Sequence, residues 1–181
     1  MAEGCIYIYT GDGRGKSPAA IGRAVQAAVE GKRVVIIQFL KGKGLGDSDF
    51  LRRMEPEIKL FRFEKSDGNF VELPEEKKQE EIQNIRNGIG FAKKVLTTGE
   101  CDLLILDDLG SELTTPFVQS ALYTLVNARL MADKRTVISS NLSMDEVRRR
   151  YTGQIASRLE GEYRVLPFYG EDIRLLRKQR L

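Results

Sequence analysis

Histidine is absent from this 181-residue chain. That removes Ser-His-Asp relays, His-Glu-x-x-His metal sites and most zinc centres from consideration. Cysteine is scarce: Cys5 and Cys101 are the two present. Both fall in apolar runs or at their edges, which makes them core thiols rather than a disulfide or a metal site. No apolar stretch approaches the ~20 residues a membrane span requires, and no signal-peptide pattern is found. Those absences point to a cytoplasmic protein with no membrane contact. An excess of one charge is lacking too, since 29 basic and 26 acidic residues leave a net +3. So small a surplus does not by itself argue for nucleic acid.

What is present reads as one domain over 1–181, 41% hydrophobic and 30% charged, with strands and helices in alternation. That pattern specifies an α/β three-layer sandwich on a mostly parallel sheet of about five strands. Its organising stretch is Thr10-Gly11-Asp12-Gly13-Arg14-Gly15-Lys16-Ser17. An alternating run, Cys5–Tyr9, precedes it as a strand, and Ala19–Ala28 follows as a helix. Strand, glycine-rich turn and helix with Gly-Lys-Ser at the junction is the P-loop (Walker A) context. Gly11, Asp12, Gly13, Arg14, Gly15, Lys16 and Ser17 are therefore the candidate phosphate-binding residues. The backbone N–H groups would face a phosphate, Lys16 would neutralise it, and Ser17 would hold Mg²⁺. Thr10 stands where the usual pattern has glycine. Pro18 has no N–H to give, so one donor is missing from the cradle.

Arg33–Leu40 is a nearly continuous apolar run, suited to a parallel strand covered on both faces. Lys41–Asp47 is a basic, glycine-rich loop at that strand's C-terminal end, read either as a ligand-side loop or as a solvated one. Ile58–Glu64 alternates as a third strand. Pro74 opens a helix carrying Ile82, Ile85, Ile89, Ala92 and Leu96 at core spacing, and Gly99 ends it. Asp102–Asp108 is an apolar strand ending in two acids, a Walker B pattern downstream of a P-loop. Asp107 would hold Mg²⁺ through water, and Asp108 would orient or deprotonate an attacking water. Pro116 begins another helix. Thr136–Ser139 is a fifth strand closing on Ser140-Asn141, where a polar side chain can reach a γ-phosphate. Ser143 and Glu146 form a capping box ahead of Arg148, Arg149 and Arg150. Tyr163–Phe168 is a last, edge strand, and Asp172–Leu181 a basic terminal helix. The strands at Cys5, Val34, Leu103 and Val137 belong in the middle of the sheet, and those at Phe61 and Val165 nearer its edges.

Two resemblances overlap in the chain. From about Ile6 to Asp107 it resembles the P-loop cob(I)alamin (corrinoid) adenosyltransferases. The carriers are Tyr9–Ser17, Val35–Gly42 and the spacing to Leu103–Asp107. Thr10 is at home in that family. From about Asp102 to Lys178 it resembles the DnaC/IstB-type AAA+ ATPases, the helicase loaders and transposition helpers. There the carriers are Leu104–Leu113, Val137–Leu142, Ser157-Arg158-Leu159 and Gly170–Arg174. An adenosyltransferase would continue with Asp-Glu and a corrinoid-covering C-terminal half. A loader would have a shorter path between the two motifs and an N-terminal helicase-binding domain. The expectation from this mismatch is an engineered chimera crossed over at or near Asp107, with natural recombination or a diverged family as the alternatives.

The resemblances imply roles. Lys16 and Ser17 serve phosphate and Mg²⁺ in both families, and Asp107 is the shared Walker B acid. Asp108 and Asn141 match the ATPase family's water-orienting acid and sensor. Arg158 matches a region where AAA+ proteins carry a sensing or trans-acting arginine. Gln38 and Lys41 border the adenosyltransferase substrate side. A purely structural role stands beside the functional one for residues such as Asn141, Arg158, Gln38 and Lys41. Three functions follow: an ATP/Mg²⁺-binding scaffold with weak or no turnover, an ATPase touching nucleic acid through Arg148, Arg149 and Arg150, or an adenosyltransferase acting on reduced cobalt. The oligomeric state is left open.

Overall fold

A computed structural model describes residues 6–38, 51–62, 73–110 and 116–170. The basic loop at 41–47, Cys5 and the helix at 172–181 lie outside the described residues. Among the described residues there are six strands: β1 (Ile6–Thr10), β2 (Val34–Gln38), β3 (Ile58–Arg62), β4 (Leu103–Leu109), β5 (Arg135–Ser140) and β6 (Arg164–Pro167). They form one sheet in the order β3-β2-β4-β5-β1-β6, every ladder parallel. The four most continuously apolar strands take the middle of the sheet, as the sequence leads one to expect, with β3 and β6 at the edges. The helices are α1 (Lys16–Val29), α2 (Glu75–Thr97), α3 (Pro116–Met131), α4 (Met144–Arg150) and α5 (Gly153–Glu162).

Strand alternation sorts the core onto the two faces of the sheet. Val35, Ile37, Leu104 and Leu106 face one way, and Val34, Ile36, Leu103 and Ile105 the other. Ala20, Ala24 and Ala27, spaced for one helical stripe, lay α1 on the second face. On the first face Ile89 and Ala92 of α2 pack with Leu122, Leu125 and Val126 of α3 and Ile155 and Leu159 of α5. The result is three layers, α/β/α.

Chain punctuation agrees with local chemistry. Gly31 takes φ 75 just past α1. The amides of Gly31 and Lys32 donate to Ala28 O and Ala27 O at 2.9 and 3.0 Å, a Schellman closure. Ser143 and Glu146 complete a reciprocal capping box on α4. Arg129 is the departure. It lies on the same helical stripe as Leu122, Leu125 and Val126, where a charge is unusual, and only 2% of it is exposed. Its guanidinium reaches Thr136 Oγ1 at 3.1 Å and the carbonyls of Cys101 and Asp102 at 3.0 and 3.3 Å, and it also donates to Arg135 O. These acceptors lie at the N-terminal ends of β4 and β5, so a buried cation there satisfies backbone that the ladder leaves open.

Candidate phosphate site at the end of the sheet

β1 ends at Thr10 and α1 begins at Lys16, so residues 11–15 are the turn between them. Gly15, just before the helix, has φ 101, and Gly11 has φ 95. Both lie in the left-handed region that glycine enters without strain. Gly13 is glycine for another reason. A Cβ there would stand 2.5 Å from the carbonyl oxygen of Phe168 and 2.6 Å from its carbon. The Gly13 amide in fact donates to that oxygen at 2.9 Å, and the Phe168 amide donates to Thr10 O at 2.8 Å. The chain leaving β6 therefore forms one wall of the loop.

Lys16 is buried, 7% exposed, and its Nζ donates to Gly11 O at 2.5 Å and Gly13 O at 2.7 Å. The ammonium thus sits inside the turn. Burial pulls its pKa below the ordinary lysine value, opposed by the charges of Asp108, Asp12 and Asp107. Those carboxylates come from the loop and from the end of β4, so the sheet brings both motifs to one place. Pro18 is the third residue of α1 and exposed. In the first turn its missing N–H deprives the helix of no internal bond.

Asp107 is 1% exposed. It pairs in register with Gln38 across β2 and β4, and Gln38 Nε2 donates to its Oδ2 at 2.9 Å. Ser139 Oγ donates to Oδ1 at 2.5 Å and accepts the Asp108 amide at 3.0 Å. The β4–β5 register slips by one residue between Leu106 and Leu109. Asp108 occupies that bulge with φ 67, a conformation Asp tolerates better than most residues. The bulge turns consecutive acids to different environments: Asp107 stays inside, while Asp108 accepts Asn141 Nδ2 at 3.3 Å near the surface.

The structure gathers Gly11 to Ser17, Asp107, Asp108 and Asn141 at the C-terminal edge of the sheet. Ser140 is fully buried and donates to Leu109 O at 2.6 Å, so of the Ser140-Asn141 pair only Asn141 faces out. Arg158 is set apart, midway along α5 on the face opposite α1. Arg148 lies 2.8 Å from both Asp145 and Glu160, which offsets its charge locally. Cys101 is buried, its thiol pushed up by burial, in keeping with a core role. Ser139 and Phe168 are the positions the sequence reading missed. The spacing of Gly11 and Gly13 carries a signal for a close backbone neighbour, but nothing local says which. Among the described residues no cluster of three or more His, Cys, Asp or Glu could hold a metal, and no helix is long and apolar enough to cross a membrane.

Comparison with known proteins gives a matching family. The model for ATP:corrinoid adenosyltransferase BtuR/CobO/CobP matches residues 2–139. A corrinoid adenosyltransferase of Pseudomonas aeruginosa is 26% identical over 118 residues, 65% of this chain and 56% of that protein. Another from Escherichia coli K12 is 29% identical over 108 residues, 59% of this chain and 52% of that one. The chain spans about half the length of these curated relatives. Among solved structures, the DnaC helicase loader superposes with a TM-score of 0.55 at 19% identity, covering 92% of this chain and 80% of that one. AMPPCP-bound DnaA of Aquifex aeolicus gives 0.52 at 19%, covering 96% and 44%. Those two likenesses are of fold alone, that of the P-loop NTPases.

Proposed function

The chain belongs to the ATP:corrinoid adenosyltransferase BtuR/CobO/CobP family, and from that premise we propose that it binds the triphosphate of ATP at residues 11–17. The observation that carries the reading is the position of Lys16, buried in the turn on Gly11 O and Gly13 O with Asp107 and Asp108 close enough to act on its charge. A phosphate entering the loop would take over from those two carbonyls as partner of the ammonium. The amides at the start of α1 and the helix dipole would add to the attraction.

Mg²⁺ suits the donors present, a serine hydroxyl and a carboxylate, both hard oxygens. Ser17 and Asp107 would hold it, and when bound it would neutralise phosphate charge. Asp107 is kept in one orientation by Gln38 and Ser139, each of which occupies one lone pair on one oxygen. The family's reaction hands the adenosyl group of ATP to reduced cobalt. Turnover of that reaction by this chain is proposed to be weak. What supports this is the commitment of the Gly13 amide to Phe168 and the missing donor at Pro18, which together thin the cradle. An ATPase reading is favoured by one contact, Asn141 to Asp108, which would hold a water-orienting acid in place. Nucleic acid contact at α4, through Arg148, Arg149 and Arg150, belongs to that second reading. The family match extends past Asp107 to residue 139, which weighs against a change of family at Asp107.

Calorimetric titration with ATP and Mg²⁺ tests the binding, and absorbance of the adenosylated product after incubation with chemically reduced cobalamin tests the transfer. Saturable ATP binding lost in Lys16→Ala is the expected result. A parent protein that binds neither ATP nor inorganic tripolyphosphate would overturn the reading.

A further inference from the structure

Four large hydrophobic side chains stand out into solvent among the described residues: Val29, Phe117, Met131 and Tyr169. Val29 and Met131 end α1 and α3, at the edge of the sheet away from the phosphate loop. Phe117 has the Arg86 guanidinium 5.4 Å from its ring centre. Tyr169 is different in both place and setting. It is 88% exposed, and its backbone abuts the loop: a Cβ on Gly13 would lie 2.9 Å from the Tyr169 carbonyl carbon.

The peptide that carries Tyr169 is fixed at two points. Phe168 donates to Thr10 O at 2.8 Å and accepts Gly13 N–H at 2.9 Å. The Phe168 ring is turned inward against Tyr9, with ring centres 5.3 Å apart. One aromatic thus anchors the segment beneath the loop while the next is left standing outside it. An exposed aromatic ring on an anchored backbone is preorganised to receive a flat partner, because little ordering remains to be done on binding. The flat partner of a triphosphate is its base.

Resting on the reading that the loop binds a nucleoside triphosphate, we propose that Tyr169 is the base-side contact of that site, stacking on the nucleobase. Stacking addresses the ring face and leaves the base edges unread, so this contact favours nucleotides over bare polyphosphate and discriminates little between purines.

The test compares ATP, GTP and inorganic tripolyphosphate by calorimetry on the parent, Tyr169→Ala and Tyr169→Phe, with melting temperature as the check on folding. Tyr169→Ala should weaken ATP and GTP binding by about five- to a hundredfold and leave tripolyphosphate affinity where it was. Tyr169→Phe, which keeps the ring, should bind ATP like the parent. Equal loss of ATP and tripolyphosphate in Tyr169→Ala would mark a residue that merely shapes the loop, and no loss of either would mark a bystander; both overturn the proposal. If Tyr169→Ala fails to fold, a loss of ATP affinity in folded Tyr169→Phe overturns it, and parental affinity there, with ATP held more tightly than tripolyphosphate by the parent, supports it. A parent that binds none of the three removes the phosphate-loop reading, and this inference falls with it.

Discussion

The amide of Gly13 is hydrogen-bonded to the carbonyl of Phe168 at 2.9 Å, so the turn after the first described strand is finished by the chain leaving the last one. No side chain takes part, which is why space rather than chemistry sets the residue at position 13.

Two glycine substitutions separate space from flexibility. Gly13→Ala drives a Cβ into Phe168 backbone that cannot step aside, and should destabilise by about 1–3 kcal/mol while loosening the end of β6. Gly22 lies inside α1 with nothing within 4 Å of a Cβ. Gly22→Ala should stabilise by about 0.5–1 kcal/mol. Thermal melts of the two variants should move in opposite directions from the parent.

Alkaline pH should weaken ATP binding sooner than an ordinary lysine would. Burial sets the Lys16 pKa below 10.5. As pH rises through that lowered value the ammonium loses its proton, and its attraction for phosphate goes with it. Between the folded value and 10.5 the unfolded chain binds more protons, so this group's contribution to stability rises with pH in that window, while affinity falls. Titrations from neutral to alkaline pH on the parent and on Lys16→Arg, whose charge persists, should diverge at the alkaline end. Parallel curves would show that Lys16 is not the titrating ligand.

Pro18→Thr restores an N–H in the first turn of α1. A hydrogen bond to a charged group contributes about 1.5–3 kcal/mol, so ATP should bind about ten- to a hundredfold more tightly. The substituted position is exposed, so the melting temperature should barely change. Unaltered affinity would mean that the phosphates do not reach the start of the helix.

Arg129→Met keeps the length and much of the apolar stem but leaves the carbonyls of Cys101, Asp102 and Arg135 without their donor. Orphaned buried acceptors cost about 1–3 kcal/mol each where water cannot replace the partner. A loss of about 3 kcal/mol or more in denaturant unfolding is expected, with ATP affinity in the surviving folded fraction unchanged, because the site lies at the other end of the strands.

Sheet and loop were legible in the sequence because each rests on a local pattern. The apolar runs at Val34, Leu103 and Val137 are too continuous for half-exposed strands, and Gly-Lys-Ser between strand and helix has few other uses. The position of Asp107 could be read as well, as an acid closing an apolar strand. Its partners could not: Ser139 reaches it only through parallel pairing of distant segments, and the bulge that parts Asp107 from Asp108 leaves no mark in composition. Arg129 was hidden for a similar reason. Its acceptors are backbone carbonyls from other strands, and a carbonyl has no letter in the sequence.

The place of β1 in the strand order bears on how the protein is made. Its two ladder partners, β5 and β6, begin at Arg135 and Arg164. While the chain emerges from a ribosome, the strand that launches the phosphate loop has no native neighbour until most of the described residues have been synthesised. Parallel pairings of such long range are slow to close and leave strand edges open meanwhile. The phosphate loop, translated ahead of both strands that flank β1, is therefore among the last of these elements to be assembled, and a nascent chain halted short of β6 would display the loop without its wall.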